Sequence, residues 1–180
     1  PAMLDILRRE ADALSLSNIE YLQGRWGETD AGRHDLLLCA NVPGITSDPG
    51  SFTGAQVDAA RNYIVLIQGA GRERDKFFFS ELYPLLLGQE FPPKPDYLKL
   101  YTGLHKASIC ANVKIIEYSL DQPFNNMEEA VAFWKSYLPP FPPEKDGLLR
   151  NRLEDRLEPE GGLLWARIPK RSAVIWWALK

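Results

Sequence analysis

The chain has 180 residues, of which 45% are hydrophobic, 25% are charged and 11% are aromatic, and its formal net charge is −3. Such a composition is that of an ordinary globular protein with one sizeable core, so we expect a single domain over residues 1–180. The acidic balance and the lack of a basic patch argue against nucleic-acid binding. No apolar segment approaches the roughly 20 residues of a membrane span, and no charged-then-apolar leader opens the chain. We therefore expect a cytoplasmic protein that does not bind membranes.

Two cysteines are present, Cys39 and Cys110, and both lie in apolar segments. This usage predicts buried free thiols in a reducing compartment rather than a disulfide framework. The sequence has no zinc-ligand spacing, and we expect no metal site.

The first part of the chain alternates between helical and extended patterns. Apolar residues recur at helical spacing in AMLDILRREADAL, residues 2–14, which predicts an amphipathic helix. NIEYLQ, residues 18–23, is predicted to be a short strand. DLLLCA, residues 35–40, is apolar on both faces, as expected for a central parallel strand covered by helices. After it, Ser51 or Thr53 is expected to cap a further helix.

The middle of the chain repeats this alternation. NYIVLIQGAG, residues 62–71, is predicted to be a second buried strand that ends in glycines. A helical cover is expected at about 73–108, and ANVKIIEYSL, residues 111–120, is predicted to be the next strand.

The last third adds helices and a terminal extended region. Helices are expected at about 126–158, the first of them capped by Asn125 or Asn126. LLWARIPKRSAVIWWALK, residues 163–180, has the pattern of a terminal hairpin. Strands alternating with helices predict an α/β fold. We expect a Rossmann-like, mostly parallel sheet with helices on both faces and a C-terminal antiparallel strand or hairpin.

Several segments, in this order and spacing, resemble class I S-adenosylmethionine-dependent methyltransferases, and the resemblance covers nearly the whole chain. PAMLDILRREA resembles the segment that follows the second strand in these enzymes, and NIEYLQGRW resembles the third strand and its loop. HDLLLCANV and NYIVLIQGAG resemble the fourth and fifth strands. FNNMEEAVAFWKSYL and the closing AVIWWALK are similar to the end of many small-molecule methyltransferases.

The chain departs from that family at its start. The glycine-rich turn after the first family strand and the acidic residue that would bind the ribose have no counterpart here. In the family strand order 3-2-1-4-5-7-6, this chain would supply strand 3 and strands 4 to 7, which leaves a gap between them. Three arrangements fill it: the chain is a fragment of a longer one, another chain contributes the missing piece, or strands 3 and 4 pair directly. We favour the fragment.

The resemblance also implies a cofactor, S-adenosylmethionine, and residues that contact it. The methionine moiety and the methyl-transfer site would be lined by Ala40, Asn41 and Val42, just past the fourth strand. The adenine would be contacted by the loop after the third strand, at Gly24, Arg25 and Trp26, and its face would be covered by Met3. Two simpler interpretations stay open: Asn41 only begins a turn, and Met3 is an ordinary core residue of its helix.

Methyl transfer needs no fixed catalytic triad, and a base is required only if the acceptor must lose a proton. The loose candidates for a base are His34, His105, Asp96, Tyr97 and Tyr101. His34 precedes a strand, at the end opposite the expected crevice, and His105 has the spacing of a surface or capping residue. Gly69 and Gly71 imitate a dinucleotide turn, but Arg74 replaces the third glycine, so we interpret them as easing a strand-to-helix turn.

The sequence therefore predicts methyl transfer from S-adenosylmethionine to a small-molecule acceptor. The alternative is a catalytically inactive, methyltransferase-like scaffold that binds a protein partner. We expect the macromolecular partner to be either a second copy of the chain, which would form a homodimer, or a missing N-terminal segment.

Overall fold

A computed structural model describes residues 2–24, 29–42, 58–71, 75, 77–92 and 96–179. Its helices are α1 (Ala2–Ala13), α2 (Phe79–Leu82, continued by a π-helical segment, Tyr83–Leu87), α3 (Tyr97–Lys106), α4 (Met127–Tyr137) and α5 (Asp146–Glu154), with a 3-10 turn at Pro143–Lys145 before α5. Its strands are β1 (His34–Ala40), β2 (Ala60–Gly69), β3 (Asn112–Ser119), β4 (Gln122–Phe124), β5 (Leu157–Glu160), β6 (Leu163–Ala166) and β7 (Pro169–Ala178).

The main sheet has four strands in the order β1-β2-β7-β3. β1 and β2 are parallel, whereas β7 is antiparallel to both β2 and β3, so β3 runs parallel to β2. The last strand of the chain is thus inserted between two strands that precede it. The expected combination of a parallel sheet with a C-terminal antiparallel strand is confirmed, and the order matches strands 4-5-7-6 of the predicted arrangement.

One face of this sheet is packed against α3. Leu100 and Leu104 of that helix are fully buried with Ile64 of β2 and Ile175 of β7. The alternation of side chains along each strand brings these residues to the same face, which the registers Ile64↔Trp177 and Leu66↔Ile175 also require. This helix-on-sheet layer is the first of two hydrophobic cores.

Several large side chains on the opposite face are exposed, so the described residues do not show the expected layer of helices there. Tyr63 and Ile116, on β2 and β3, are among the large apolar side chains exposed on it. Val65 and Trp176, which pair across β2 and β7, are only half-buried. We call this surface the open face.

The expectation that DLLLCA is a central strand was wrong for the described residues, because β1 pairs only with β2 and is the outer strand of the sheet. Leu36 and Leu38 point to the open face and are 52% and 58% exposed. Leu37 and Cys39, on the other face, pack on the first core. The apolar run is therefore buried on one side, and its free edge retains unpaired backbone groups.

NIEYLQ is not a strand: residues 18–23 join no sheet, so the prediction of a third family strand was wrong. Direct pairing of that strand with β1, one of the three arrangements considered above, is likewise not observed. The helix expected after Ser51 or Thr53 lies almost wholly outside the described residues. α1 confirms the first predicted helix, but only Ala11 in it is buried.

The expected terminal hairpin was also wrong, because β6 and β7 belong to different sheets. β6 pairs with β4 and β5 in a second, three-stranded sheet, and β7 enters the main sheet. The crossing is fixed by Asp121, whose carboxylate accepts hydrogen bonds from the amide of Ile168 at 2.9 Å and from Arg167 at 3.1 Å. These bonds join residues nearly fifty positions apart, so local sequence could not predict the crossing.

A second core lies between α2, α4, α5 and the three-stranded sheet. Trp134 of α4 is fully buried at its centre, and its indole N–H donates to the carbonyl oxygen of Phe77 at 2.8 Å. Helix α4 begins as predicted, because the side chain of Asn126 accepts a hydrogen bond from the amide of Glu129 at 2.9 Å. α4 and α5 lie within the range of about 126–158 in which helices are expected.

Candidate functional site

The carboxyl ends of the parallel strands meet at one edge of the main sheet, which we call the carboxyl edge. β1 ends there at Ala40, β2 at Gly69 and β3 at Ser119, and β7 starts there at Pro169 because it runs the opposite way. In open α/β sheets, ligands bind beyond this edge. The strand order therefore gathers four chain segments at the position where a ligand is expected.

Ala40, Asn41 and Val42 lie at this edge, at the tip of β1. The amide of Asn41 donates to the carbonyl oxygen of Ile67 at 2.8 Å, which extends the pairing with β2 by one residue. Asn41 has a φ of 52°, a left-handed conformation that asparagine adopts more readily than most residues. The turn thus accounts for the asparagine without a ligand, and a contact with cofactor stays a prediction.

The other predicted cofactor residues are only partly described. Met3 is 84% exposed on α1, so it is not a core residue of that helix. Gly24 lies against Thr29, because a β-carbon at position 24 would collide with the Thr29 hydroxyl. Arg25 and Trp26 lie outside the described residues, and their predicted roles are not tested.

A cavity of about 750 Å³ opens at the carboxyl edge, over the tips of β2, β7 and β3. It is lined by Ala70, Gly71, Glu117, Tyr118, Ser119, Pro169, Lys170 and Arg171. Among the predicted cofactor residues that the structure describes, none lines it. In the sheet order, β2 is one strand spacing from β1, β7 is two and β3 is three, so the lining residues on β7 and β3 lie roughly 10–15 Å from β1 across the sheet.

An ion pair forms one wall of this cavity. The Nε of Arg171 donates to a carboxylate oxygen of Glu117 at 2.7 Å, and the two residues face each other across β7 and β3. The stem of Arg171 passes 3.9 Å from the position that a β-carbon on Gly71 would occupy. Gly71 has a φ of 99°, so the turn itself requires glycine here, and no dinucleotide motif is needed to explain it.

The other wall is formed by Tyr118 and Lys170, which pair across the same two strands on the open face. The Tyr118 hydroxyl lies 3.1 Å from the hydroxyl of Ser172, a buried polar residue. The Lys170 ammonium donates to the backbone carbonyl of Asp75 at 2.8 Å. Lys170 thereby connects the cavity to the segment that leads into α2.

The candidate bases lie away from this cavity. His34 is at the amino end of β1, where its Nε2 is 2.7 Å from the carbonyl oxygen of Ala31, and His105 is in the last turn of α3, which leads to the amino end of β3. The Tyr101 hydroxyl donates to the carbonyl oxygen of Ala111, a structural contact. These three residues are not brought to the carboxyl edge.

Asp96 and Tyr97 start α3 and are half-buried. One carboxylate oxygen of Asp96 is buried and has no hydrogen-bond partner among the described residues, and the side chain does not cap the helix. Neither residue lines the cavity, so neither is a candidate for contact with a ligand there.

Cys39 is half-buried, and burial raises the pKa of its thiol, which keeps the sulfur protonated and poorly nucleophilic. Cys110 is free but exposed, so the expectation that both thiols are buried was wrong for this one. Within the described ranges, no three or more His, Cys, Asp or Glu residues are grouped so that they could hold a metal ion. No described helix is long and apolar enough to cross a membrane.

Sequence reasoning missed Glu117, Tyr118, Lys170 and Arg171. The segment PKRS lies in the middle of the predicted terminal hairpin, but in the structure it begins β7 and carries two of the four residues. Two adjacent cations beside an apolar strand were a signal, but only the pairing of β7 with β3 places them opposite Glu117 and Tyr118.

No family model and no curated protein matches this chain. Among solved structures, it is similar to a candidate methyltransferase from Bacillus halodurans C-125, with 14% sequence identity and a TM-score of 0.46. The match covers 97% of this chain and 78% of that one. At this level of similarity the match does not identify an activity.

Proposed function

We propose that this chain forms the carboxyl-terminal part of an S-adenosylmethionine-dependent methyltransferase domain that acts on a small molecule. The supporting observation is the order β1-β2-β7-β3, in which the final strand enters antiparallel between β2 and β3. This order would not arise if β7 paired with β6, the strand that precedes it in sequence. The predicted family sheet contains the same four positions at one end.

The residues present fit one wall of a cofactor site. Ala40 is small and exposed at the tip of β1, and Asn41 turns there in a left-handed conformation. Ala40, Asn41 and Val42 would hold the methionine side of the cofactor, and Gly24, Arg25, Trp26 and Met3 its adenine. The glycine-rich turn and the ribose-binding acid are not in this sequence, so these residues form only part of the site.

The cofactor would supply a methyl group on a positively charged sulfur. The sulfur would keep the electron pair of the sulfur–carbon bond, and the acceptor would supply the pair for its new bond to the methyl carbon. The chain's own contribution would be to hold the acceptor in line at the carboxyl edge and to keep water out. No histidine is needed for an acceptor that is already unprotonated.

The open face and the free edge of β1 support the proposal that further strands of the same polypeptide pack there. Leu36 and Leu38 are large, exposed apolar residues on an outer strand that is paired on one side only, which is an aggregation hazard in an isolated sheet. A preceding N-terminal segment with the glycine-rich turn would pair with β1 and cover these side chains. A second copy of the chain could bury the same surface, but it would not supply the glycine-rich turn.

The test is a calorimetric titration of S-adenosylmethionine and S-adenosylhomocysteine into the product translated from the gene's own start codon. We expect both compounds to bind that product at one site, and neither to bind residues 1–180 alone. Absence of binding to the full product would refute the enzyme and favour the scaffold alternative.

Two matched variants locate the site. Ala40 and Ala178 are both exposed alanines on the open face, one at the carboxyl edge and one at the opposite edge. Ala40→Leu should block the methionine side of the cofactor and abolish binding, whereas Ala178→Leu should leave it unchanged. Equal binding by both variants would exclude the tip of β1 from the site.

A further inference from the structure

The cavity over β2, β7 and β3 has the size and position of a binding site for a second small molecule beside the proposed cofactor. Its volume of about 750 Å³ lies within the usual range of small-molecule sites, about 300–1,000 Å³. Its residues on β7 and β3 lie two and three strand spacings from β1, roughly 10–15 Å, so a molecule bound there would extend along the carboxyl edge to reach the methyl-transfer site proposed at the tip of β1.

The charge of the cavity indicates the class of molecule. Its charged lining residues are Lys170, Arg171 and Glu117, which sum to one positive charge, whereas the whole chain has a net charge of −3. Because the excess is a single positive charge, it matches a ligand group with one negative charge. A carboxylate has that charge at neutral pH.

Arg171 is oriented to bind such a group. Its Nε is engaged by Glu117, while its two terminal nitrogens have no hydrogen-bond partner among the described residues. Its side chain is 62% exposed, so these donors are accessible. A guanidinium held at one nitrogen presents its remaining N–H groups as a planar fork, which suits a carboxylate.

On the open face, the other face of the sheet from Arg171 and Glu117, the cavity lining adds a positive charge and a polar contact. Lys170 is held by the carbonyl oxygen of Asp75, and the Tyr118 hydroxyl is held by Ser172. If Ser172 donates its proton to Tyr118, the Tyr118 hydroxyl can donate to a bound oxygen atom. The Tyr118 ring also gives the cavity an aromatic surface.

We propose that this cavity binds the methyl acceptor, a small molecule with a carboxylate group that is bound by Arg171. The assignment of the ligand as an acceptor rests on the proposed function, whereas the recognition of a carboxylate rests on the cavity alone.

The test compares benzoate with its neutral analogue benzamide, by titration calorimetry on the full-length product. We expect benzoate to bind about tenfold more tightly than benzamide, since a hydrogen bond to a charged group contributes enough for such a preference. Arg171→Gln should remove that preference, and Lys114→Gln should keep it, because Lys114 is an exposed lysine on β3 that does not line the cavity. Equal affinities for benzoate and benzamide in the unmodified protein would overturn the inference.

Glu117→Gln separates recognition of the carboxylate from a structural role of the ion pair. If Glu117 and Arg171 only stabilise the edge of the sheet, both single variants lose benzoate binding together. If Arg171 binds the carboxylate, Glu117→Gln removes a competing negative charge and should keep or strengthen benzoate binding. Loss of the preference in Glu117→Gln with an unchanged circular dichroism spectrum would contradict the inference.

The two proposals fail separately. Preference for benzoate without binding of S-adenosylhomocysteine would refute the proposed function and leave carboxylate recognition standing. Binding of S-adenosylhomocysteine without any preference for benzoate would keep the enzyme and refute the carboxylate acceptor.

Discussion

Trp134 provides the sharpest test of how the second core is held together. Its indole N–H bonds the carbonyl oxygen of Phe77, and its ring stacks on Phe78 with the centroids 5.9 Å apart. Phe77 and Phe78 have φ values of 71° and 59°, left-handed conformations that each cost an ordinary residue about 1–2 kcal/mol. Trp134 therefore holds in place a segment that local preferences disfavour.

Trp134→Phe retains one aromatic ring and removes the donor. The buried carbonyl oxygen of Phe77 would lose its partner, at a cost of about 1–3 kcal/mol. The smaller ring adds about 1 kcal/mol of lost packing, well below the about 3–5 kcal/mol of a change from Trp to Ala. We expect the free energy of unfolding to fall by about 2–4 kcal/mol, a shift of about 1–2 M in the urea midpoint.

The assay is urea unfolding followed by far-ultraviolet circular dichroism, because fluorescence would report the loss of the tryptophan itself. Trp165→Phe is the matched control: Trp165 lies half-buried on β6, with the Arg167 guanidinium 5.0 Å from its ring centroid, a contact that a phenyl ring can also make. We expect the control to cost less than about 1 kcal/mol. Equal midpoints for the two variants would show that the bond from Trp134 to Phe77 does not stabilise the core.

Three further predictions concern single hydrogen bonds and backbone positions. Asn126→Ala should cost about 0.5–2 kcal/mol in urea unfolding through loss of the α4 cap, and a smaller change would show that the cap is replaced by water. Hydrogen bonding by the Ile168 amide, aided by Arg167, holds the pKa of Asp121 below its usual range. The ionised carboxylate therefore stabilises the fold above about pH 4, and this stabilisation is lost as the pH falls through the lower folded-state pKa. Asp121→Asn should therefore make the free energy of unfolding less dependent on pH in acid. An unchanged pH profile of unfolding would refute the role of Asp121. Asn41→Gly should keep the stability and Asn41→Ala should lose about 1 kcal/mol, and the reverse order would exclude the left-handed turn.

The sequence was sufficient for the elements whose pattern is local. β2 contains a long apolar run, β3 has an extended pattern, and α4 has both a cap and a helical pattern, so each was predicted at nearly its observed position. β1 was predicted as a strand but not as an outer one, because an apolar run looks the same whether its neighbour is present or absent. Leu36 and Leu38 show the difference only in their exposure.

Long-range contacts explain what could not be predicted. The bond from Ile168 to Asp121 sends β7 away from β6, and nothing near Ile168 in sequence indicates it. The same crossing brings Arg171 opposite Glu117, so the cavity was missed for the same reason as the strand order. A candidate site formed by strands distant in sequence becomes visible only when their pairing is known.

The position of β7 makes the candidate site depend on the end of the chain. Within the described sheet, β3 pairs only with β7, so Glu117 and Tyr118 are held at the carboxyl edge by the strand that carries Lys170 and Arg171. Both walls of the cavity therefore depend on the pairing of β7 with β3. The tip of β1, by contrast, is held by β2 through pairing that does not involve β7. The proposed cofactor wall and the proposed acceptor cavity thus rest on different strand pairs, which is why variants at Ala40 and at Arg171 should affect the two ligands independently.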